Sequence, residues 1–158
     1  MKGVAARSFS WTAFVASNIV IDFESLYFLE RNEWPVHRRL HTFLGAGLVG
    51  VAVAVAMTVV VIVAMRVGTR WLPKSSFQGA AWQAEVSRVG IVSGALVGAL
   101  SHPVLDGIMH SDIEPLQPWT DANPLHAWVG LAALHLGCLI AGVVGVVLLL
   151  VRKRSSSL

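Results

Sequence analysis

At 158 residues the chain has the length of one domain; 55% of it is hydrophobic, 13% is charged, and its mean hydropathy is +0.67. A soluble domain carries about 25% charged residues to solvate its surface, so a soluble globular protein is excluded, as is a disordered chain. The single cysteine, Cys138, excludes a disulfide scaffold, and the net charge of +3 does not mark a nucleic-acid binder, because the positive residues lie between apolar runs and form no continuous basic face.

What remains is an integral membrane protein. A helix needs about 20 apolar residues to cross a bilayer. The first candidate covers residues 9–29 and carries Asn18, Asp22 and Glu24 toward its outer end. Lys2 and Arg7 ahead of a short apolar stretch also resemble a secretory leader, but apolar residues continue past Ala16 as far as Leu29, which favours a span. The second span is expected at residues 40–67. A connector over 68–88 follows, with Pro73, Ser75 and Ser76 and then a short interfacial helix at about 77–86. The third span is expected at 89–109, the fourth at 125–151, and residues 152–158 form a basic, Ser-rich tail. Hydrocarbon offers the backbone no hydrogen bonds, so each span must be helical. The expected fold is all-α: one transmembrane domain over 1–158, a four-helix bundle running up-down-up-down. Small-residue steps at Gly94 and Gly98, and at Ala46 and Gly50, are expected at helix contacts.

Charge sets the orientation. The N-terminus, the connector and the tail hold nine of the twelve basic residues and one acid, Glu85. The opposite side holds Arg31, Arg38 and Arg39 and eight of the nine acids. Excess Lys and Arg mark the cytoplasmic side, so both termini are expected in the cytoplasm, in the cytoplasmic (inner) membrane, with the acidic side facing out. Trp34, Trp119 and Trp128 then belong to the outer aromatic belt, and Trp11 and Trp71 to the inner one.

The chemistry gathers on the acidic side in three clusters. Asp22 and Glu24 close the first span. His37-Arg38-Arg39-Leu40-His41-Thr42 enters the second. Ser101-His102-Pro103-Val104-Leu105-Asp106, then His110-Ser111-Asp112, leaves the third. Residues four apart share a helix face, so His37 with His41, and His102 with Asp106 and His110, are expected to present paired ligands. Imidazole and carboxylate at this spacing suit a divalent metal, Zn²⁺ first. A carboxylate at bilayer depth costs about 2.5–3.5 kcal/mol on insertion scales, so each needs a partner. Asp22, His41, His102 and Asp106 are the expected ligands, followed by His37 and His110. Glu24 or Asp112 is expected to act as general base or to orient a ligand histidine. Arg38 and Arg39 are expected either to hold an anionic group of the substrate or to pair with Glu30 or Glu33. His135, deep in the last span, reads as a hydrogen-bonded helix histidine, and His126 as interfacial. Pro103 is expected to bend the third helix beside His102.

These clusters resemble the YdjM-type family of small membrane-bound, metal-dependent hydrolases. Ile21-Asp22-Phe23-Glu24 is similar to its acidic motif. His37 to Thr42, continuing Phe43-Leu44-Gly45-Ala46, resembles H-x-x-x-H-T-x-x-G-A. Ser101 to Asp106, Met109-His110-Ser111-Asp112 and Pro115-Leu116-Gln117-Pro118-Trp119 resemble its H-x-x-x-D, H-x-D and P-L-x-P-aromatic segments. Which of His37 and His41 answers to the family's ligand stays open, because the histidine interval here is four. The resemblance implies a hydrolase. The location implies an ester or phosphodiester of a lipid-like substrate, with the bilayer as the only other partner and no nucleic acid. The oligomeric state is not set. Rival readings are a metal-ion or proton carrier, which would distribute polar residues through the whole depth, and a haem-binding bundle, which would be coloured.

Overall fold

The structure is a computed structural model that describes residues 9–68 and 80–155. It is all-helical among the described residues: α1 (Trp11–Glu30), α2 (Phe43–Gly68), the short α3 (Ala80–Val86), α4 (Arg88–Met109) and α5 (Leu131–Ser155). Four of these are long and apolar enough to span a membrane, and the chain is a multi-pass membrane protein. Trp71, and the connector residues up to Gly79, lie outside the described residues.

Each boundary has a local cause. Ser10 caps α1 by accepting a hydrogen bond from the Ala13 N–H at 3.2 Å, and Ser87 caps α4 through Gly90 at 2.9 Å. At the far end of α1, Asn32 adopts a left-handed backbone (φ 54°). The N–H of Asn32 reaches the Leu29 carbonyl and that of Glu33 reaches Phe28, which satisfies the last orphan carbonyls and turns the chain back over the helix end. The second and fourth spans begin later than their hydropathy suggests. Residues 39–41 form a 3-10 turn, and the Thr42 hydroxyl, accepting from Gly45 N–H at 2.9 Å, opens α2 at Phe43. Residues 124–129 are turns and bends, so α5 starts at Leu131 rather than at 125.

α4 is the hub, packed against α1 and α2. The small-residue steps sit at these contacts. A Cβ at Gly94 would fall 2.1 Å from the Ser10 carbonyl oxygen, and one at Gly98 2.4 Å from that of Phe14, so only glycine lets α1 lie this close. On the other side Ala46 is fully buried and Gly50 rests against Ala95, Leu96 and Ala99. These neighbours make α1 and α4 parallel and α2 antiparallel to both. The core is correspondingly fine-grained: Ala13, Ile21, Ala46, Val49, Val53, Ala54, Ile91, Ala95 and Ala99. Large apolar side chains such as Leu48, Val55 and Val60 point outward, as they do where lipid is the solvent. α5 completes the set of four apolar helices, yet none of its described side chains is buried. Among the described residues, the helix contacts that position the functional residues are those of α1, α2 and α4, with the 3-10 turn at 39–41 packed on all three.

Candidate metal centre

Parallel packing of α1 on α4 brings Asn18, Asp22 and Ser25, one face of α1, beside His102 and Asp106, one face of α4. The 3-10 turn then lays His41 across the top. One ligand atom from each of Asp22, His41, His102 and Asp106 falls within 4.8 Å of the others. His102 Nε2 is 3.1 Å from Asp106 Oδ2 and 3.3 Å from Asp22 Oδ1, and His41 Nε2 is 3.8 Å from the same Asp106 oxygen. Four ligands bound at about 2.0–2.2 Å around a tetrahedral ion stand roughly 3.3–3.6 Å apart. The observed spacings bracket that value.

The tautomers decide what these contacts mean. Asn18 donates through Nδ2 to the Phe14 carbonyl at 2.8 Å, which turns its Oδ1 toward His102 Nδ1 at 3.0 Å. That oxygen can only accept, so His102 carries its proton on Nδ1 and, when neutral, bears a lone pair on Nε2. His102 is 7% exposed, and its Nε2 has no hydrogen-bond partner. Both carboxylate oxygens are near enough for one, but neither is aligned for it. Two ligands of one ion have this relation: each points at the ion and neither at the other. A buried imidazole lone pair facing two carboxylates is otherwise unfavourable. The residues fit a divalent cation.

His41 is held in the same way. Its Nδ1 lies 3.2 Å from Glu24 Oε2, which also accepts the backbone N–H groups of Leu40 (2.9 Å) and Arg38 (3.2 Å). A carboxylate gripping Nδ1–H leaves Nε2 as the donor atom, here within 3.2 Å of the Ser25 hydroxyl. Of the two roles expected for Glu24, orientation of a ligand histidine is the one its contacts describe.

A second group stands beside the first. Ligand atoms of His37, His110 and Asp112 also lie within 4.8 Å of one another, and His37 Nδ1 is 3.0 Å from Asp112 Oδ2. The rings form a row from His102 to His41 (centroids 5.2 Å apart), to His37 (4.8 Å) and to His110 (4.6 Å). Burial pushes the His37 imidazole below its ordinary value against the pull of Asp112, and the charges of His41 and His110 push the same way. Burial also works to raise Asp112, but its hydrogen bond from His37 outweighs this and holds the carboxyl below its ordinary range.

All six expected ligands therefore converge, though not by the expected route. His37 and His41 do not share a helix face: His37 is in the loop after α1 and His41 ends the 3-10 turn. His110 does not continue the α4 series, because it caps that helix in extended conformation (φ −115°, ψ 130°). Pro103 is buried within a helix that runs unbroken from Arg88 to Met109. Arg38 is taken by structure. It pairs with Glu33 at 3.4 Å, lies 3.5 Å over the Phe28 ring and donates to the Pro35 carbonyl. Arg39 is exposed, and its side chain has no partner among the described residues. His135 bonds its own helix at the Leu131 carbonyl, 2.7 Å away, and His126 is exposed, both as expected. Asn18 and Ser25 are site residues that the sequence reading missed; they lie four residues before and three after Asp22 along α1, on the same helix face, and that spacing was the available signal.

Next to this centre is a cavity of about 510 Å³ lined by Glu24, Phe28, Pro35, His37, Arg38, Arg39, Glu114 and Gln117. A second groove of about 420 Å³ shares Arg39 and Gln117 with it and runs along α2 over Leu44 and Leu48. The chain matches the family described as a domain of unknown function (DUF4184) over residues 3–157, and it belongs to that family. Comparison with curated proteins and with solved structures finds no match.

Proposed function

We propose that this protein is a metal-dependent hydrolase of the cytoplasmic membrane that cleaves an ester or phosphodiester bond of a lipid-like substrate at the extracytoplasmic face. The observation that carries the reading is the buried Nε2 of His102, 3.1 and 3.3 Å from two carboxylates with no aligned hydrogen bond to either. Asp22, His41, His102 and Asp106 are the ligands, and Zn²⁺ suits their mixture of imidazole and carboxylate. A divalent ion held there supplies Lewis acidity and activates water near neutral pH. The rest falls to the chain. Asn18 and Glu24 fix the two imidazoles so that their Nε2 atoms face the same point. Arg39, at the junction of the polar cavity and the groove over Leu44 and Leu48, is placed to hold an anionic headgroup while an acyl chain follows α2. The motif resemblance over Asp22, the His37–His41 pair, His102 and Asp106 supports the same class. The distribution of Lys and Arg supports cytoplasmic termini and an outward-facing site.

Elemental analysis of the detergent-purified chain, with His102→Ala and Asp106→Ala beside it, tests the reading together with hydrolysis of chromogenic carboxyl esters and phosphodiesters. Zinc is expected to copurify in stoichiometric amount. Both variants should lose it and the hydrolysis together, with helical content preserved in circular dichroism. A metal-free protein whose activity survives both substitutions would end the proposal.

A further inference from the structure

We infer that His37, His110 and Asp112 form a second divalent-cation site that shares a wall with the first, so that the centre holds two ions. The inference rests on the metal reading above and extends it. Three observations carry it. The residues come from two places, His37 from the loop after α1 and His110 with Asp112 from the end of α4 and the turn that follows it, and their ligand atoms gather within 4.8 Å. A hydrogen bond of 3.0 Å accounts for His37 and Asp112, but not for His110. The His110 ring, half-buried, is set against His37 with centroids 4.6 Å apart and planes 31° apart, and its ring nitrogens have no hydrogen-bond partner among the described residues. Adjacent imidazoles gain little from each other when both are neutral and repel when both are charged, so a cation between them is what gives the arrangement a purpose.

Position adds the third observation. His37 lies 4.8 Å from His41, a ligand of the first site, and also lines the 510 Å³ cavity. His37 is the one residue of the two groups that lines the cavity, so the second site is the one that opens toward it. Two neighbouring cations can clamp the attacking and leaving oxygens of a phosphoryl centre, and on that ground the phosphodiester is the better fit of the two bond types in the proposed function. Asp112 is then a ligand and not the general base.

Metal counting on the full-length chain in detergent decides it, with cobalt(II) titration followed in the visible range as a second readout. The unaltered protein is expected to bind about two ions per chain, and His110→Ala and Asp112→Asn about one each, with the ligands of the first site intact. One ion in the unaltered protein, or two retained in both variants, overturns the second site and leaves the proposed function standing. No bound ion at all overturns both. Asp112→Asn preserves shape and hydrogen bonding, so it reports on ligation even where His110→Ala disturbs the cap of α4.

Discussion

The two ends of the helix bundle each hold a knot of polar groups, and they differ in one respect. At the end where α1 begins, Glu85 of α3 accepts from the Ser10 hydroxyl at 2.7 Å and from the backbone N–H groups of Trp11 and Thr12, both at 3.1 Å. The Ser10 N–H is itself bonded to the Gly90 carbonyl. Every donor there has an acceptor, and the negative charge sits on the positive end of a helix dipole. At the opposite end the outer partners are equally well made, with Asn18 on His102, and Glu24 and Ser25 on His41, but the buried Nε2 of His102 is left between two carboxylates with no aligned hydrogen bond. A knot that closes on itself holds structure together. A knot that is ordered at its rim and open at its centre is built around something else. Burial and charge alone do not separate the two cases; completeness of the hydrogen bonding does.

That contrast can be broken by substitution. The largest expected effect is from His102→Leu, which removes the orphaned nitrogen: metal retention should be abolished, and the loss of the contacts to Asn18 and Asp106 should lower the thermal midpoint in detergent as well. A midpoint that falls sharply with metal still bound would make the outer knot a structural one. Next is Asn18→Ala, which frees the His102 ring. A second-layer contact of this kind typically contributes 10- to 100-fold to metal affinity, so a loss of about that size is expected in competition with a chelator, with Asn18→Asp restoring part of it. Equal affinities in all three proteins would remove Asn18 from the site.

The smallest effect concerns the closed knot. Glu85→Ala strands the donors at the start of α1 and should cost about 1–3 kcal/mol of stability without changing the metal content. Its pH dependence follows from the same contacts. Burial acts to raise the Glu85 carboxyl, but the hydrogen bonds from Ser10, Thr12 and Trp11 outweigh it and hold the group below its ordinary 4.5. Such a carboxylate contributes fully above its unfolded value and loses that contribution as pH falls through the lower folded one. Thermal midpoints of the unaltered protein and Glu85→Ala should therefore differ at neutral pH and converge in acid. A gap that persists at the acid limit, where the carboxyl is protonated in both states, would mean that the cap acts through packing, not charge.

Much of this was legible beforehand, and the parts that were not have a common cause. The four helices, and the gathering of Asp22, His41, His102 and Asp106 at one end, could be read along the chain. Hydropathy summed over some 20 residues is a one-dimensional property, and an even number of spans places alternate loops together. Glu85 was passed over as the lone acid on a basic side, because nothing local in the sequence says that α3 will deliver it to the first turn of a helix more than seventy residues earlier.

What the sequence by itself determined is the all-α, multi-span architecture and the residue types available at the acidic end, since both follow from composition and span length. Only the tertiary structure decided that His37 and His41 meet across a 3-10 turn and not along a helix. It alone divided the ligands into two groups, turned the His102 ring by way of Asn18, and left α5 out of the contacts that build the centre. Those outcomes depend on how far each helix is rotated about its own axis and where each loop leaves it. Close packing at Gly94 and Gly98 sets the rotation, and hydrogen bonds between residues distant in the chain set the loops; neither is a property of any single stretch of sequence.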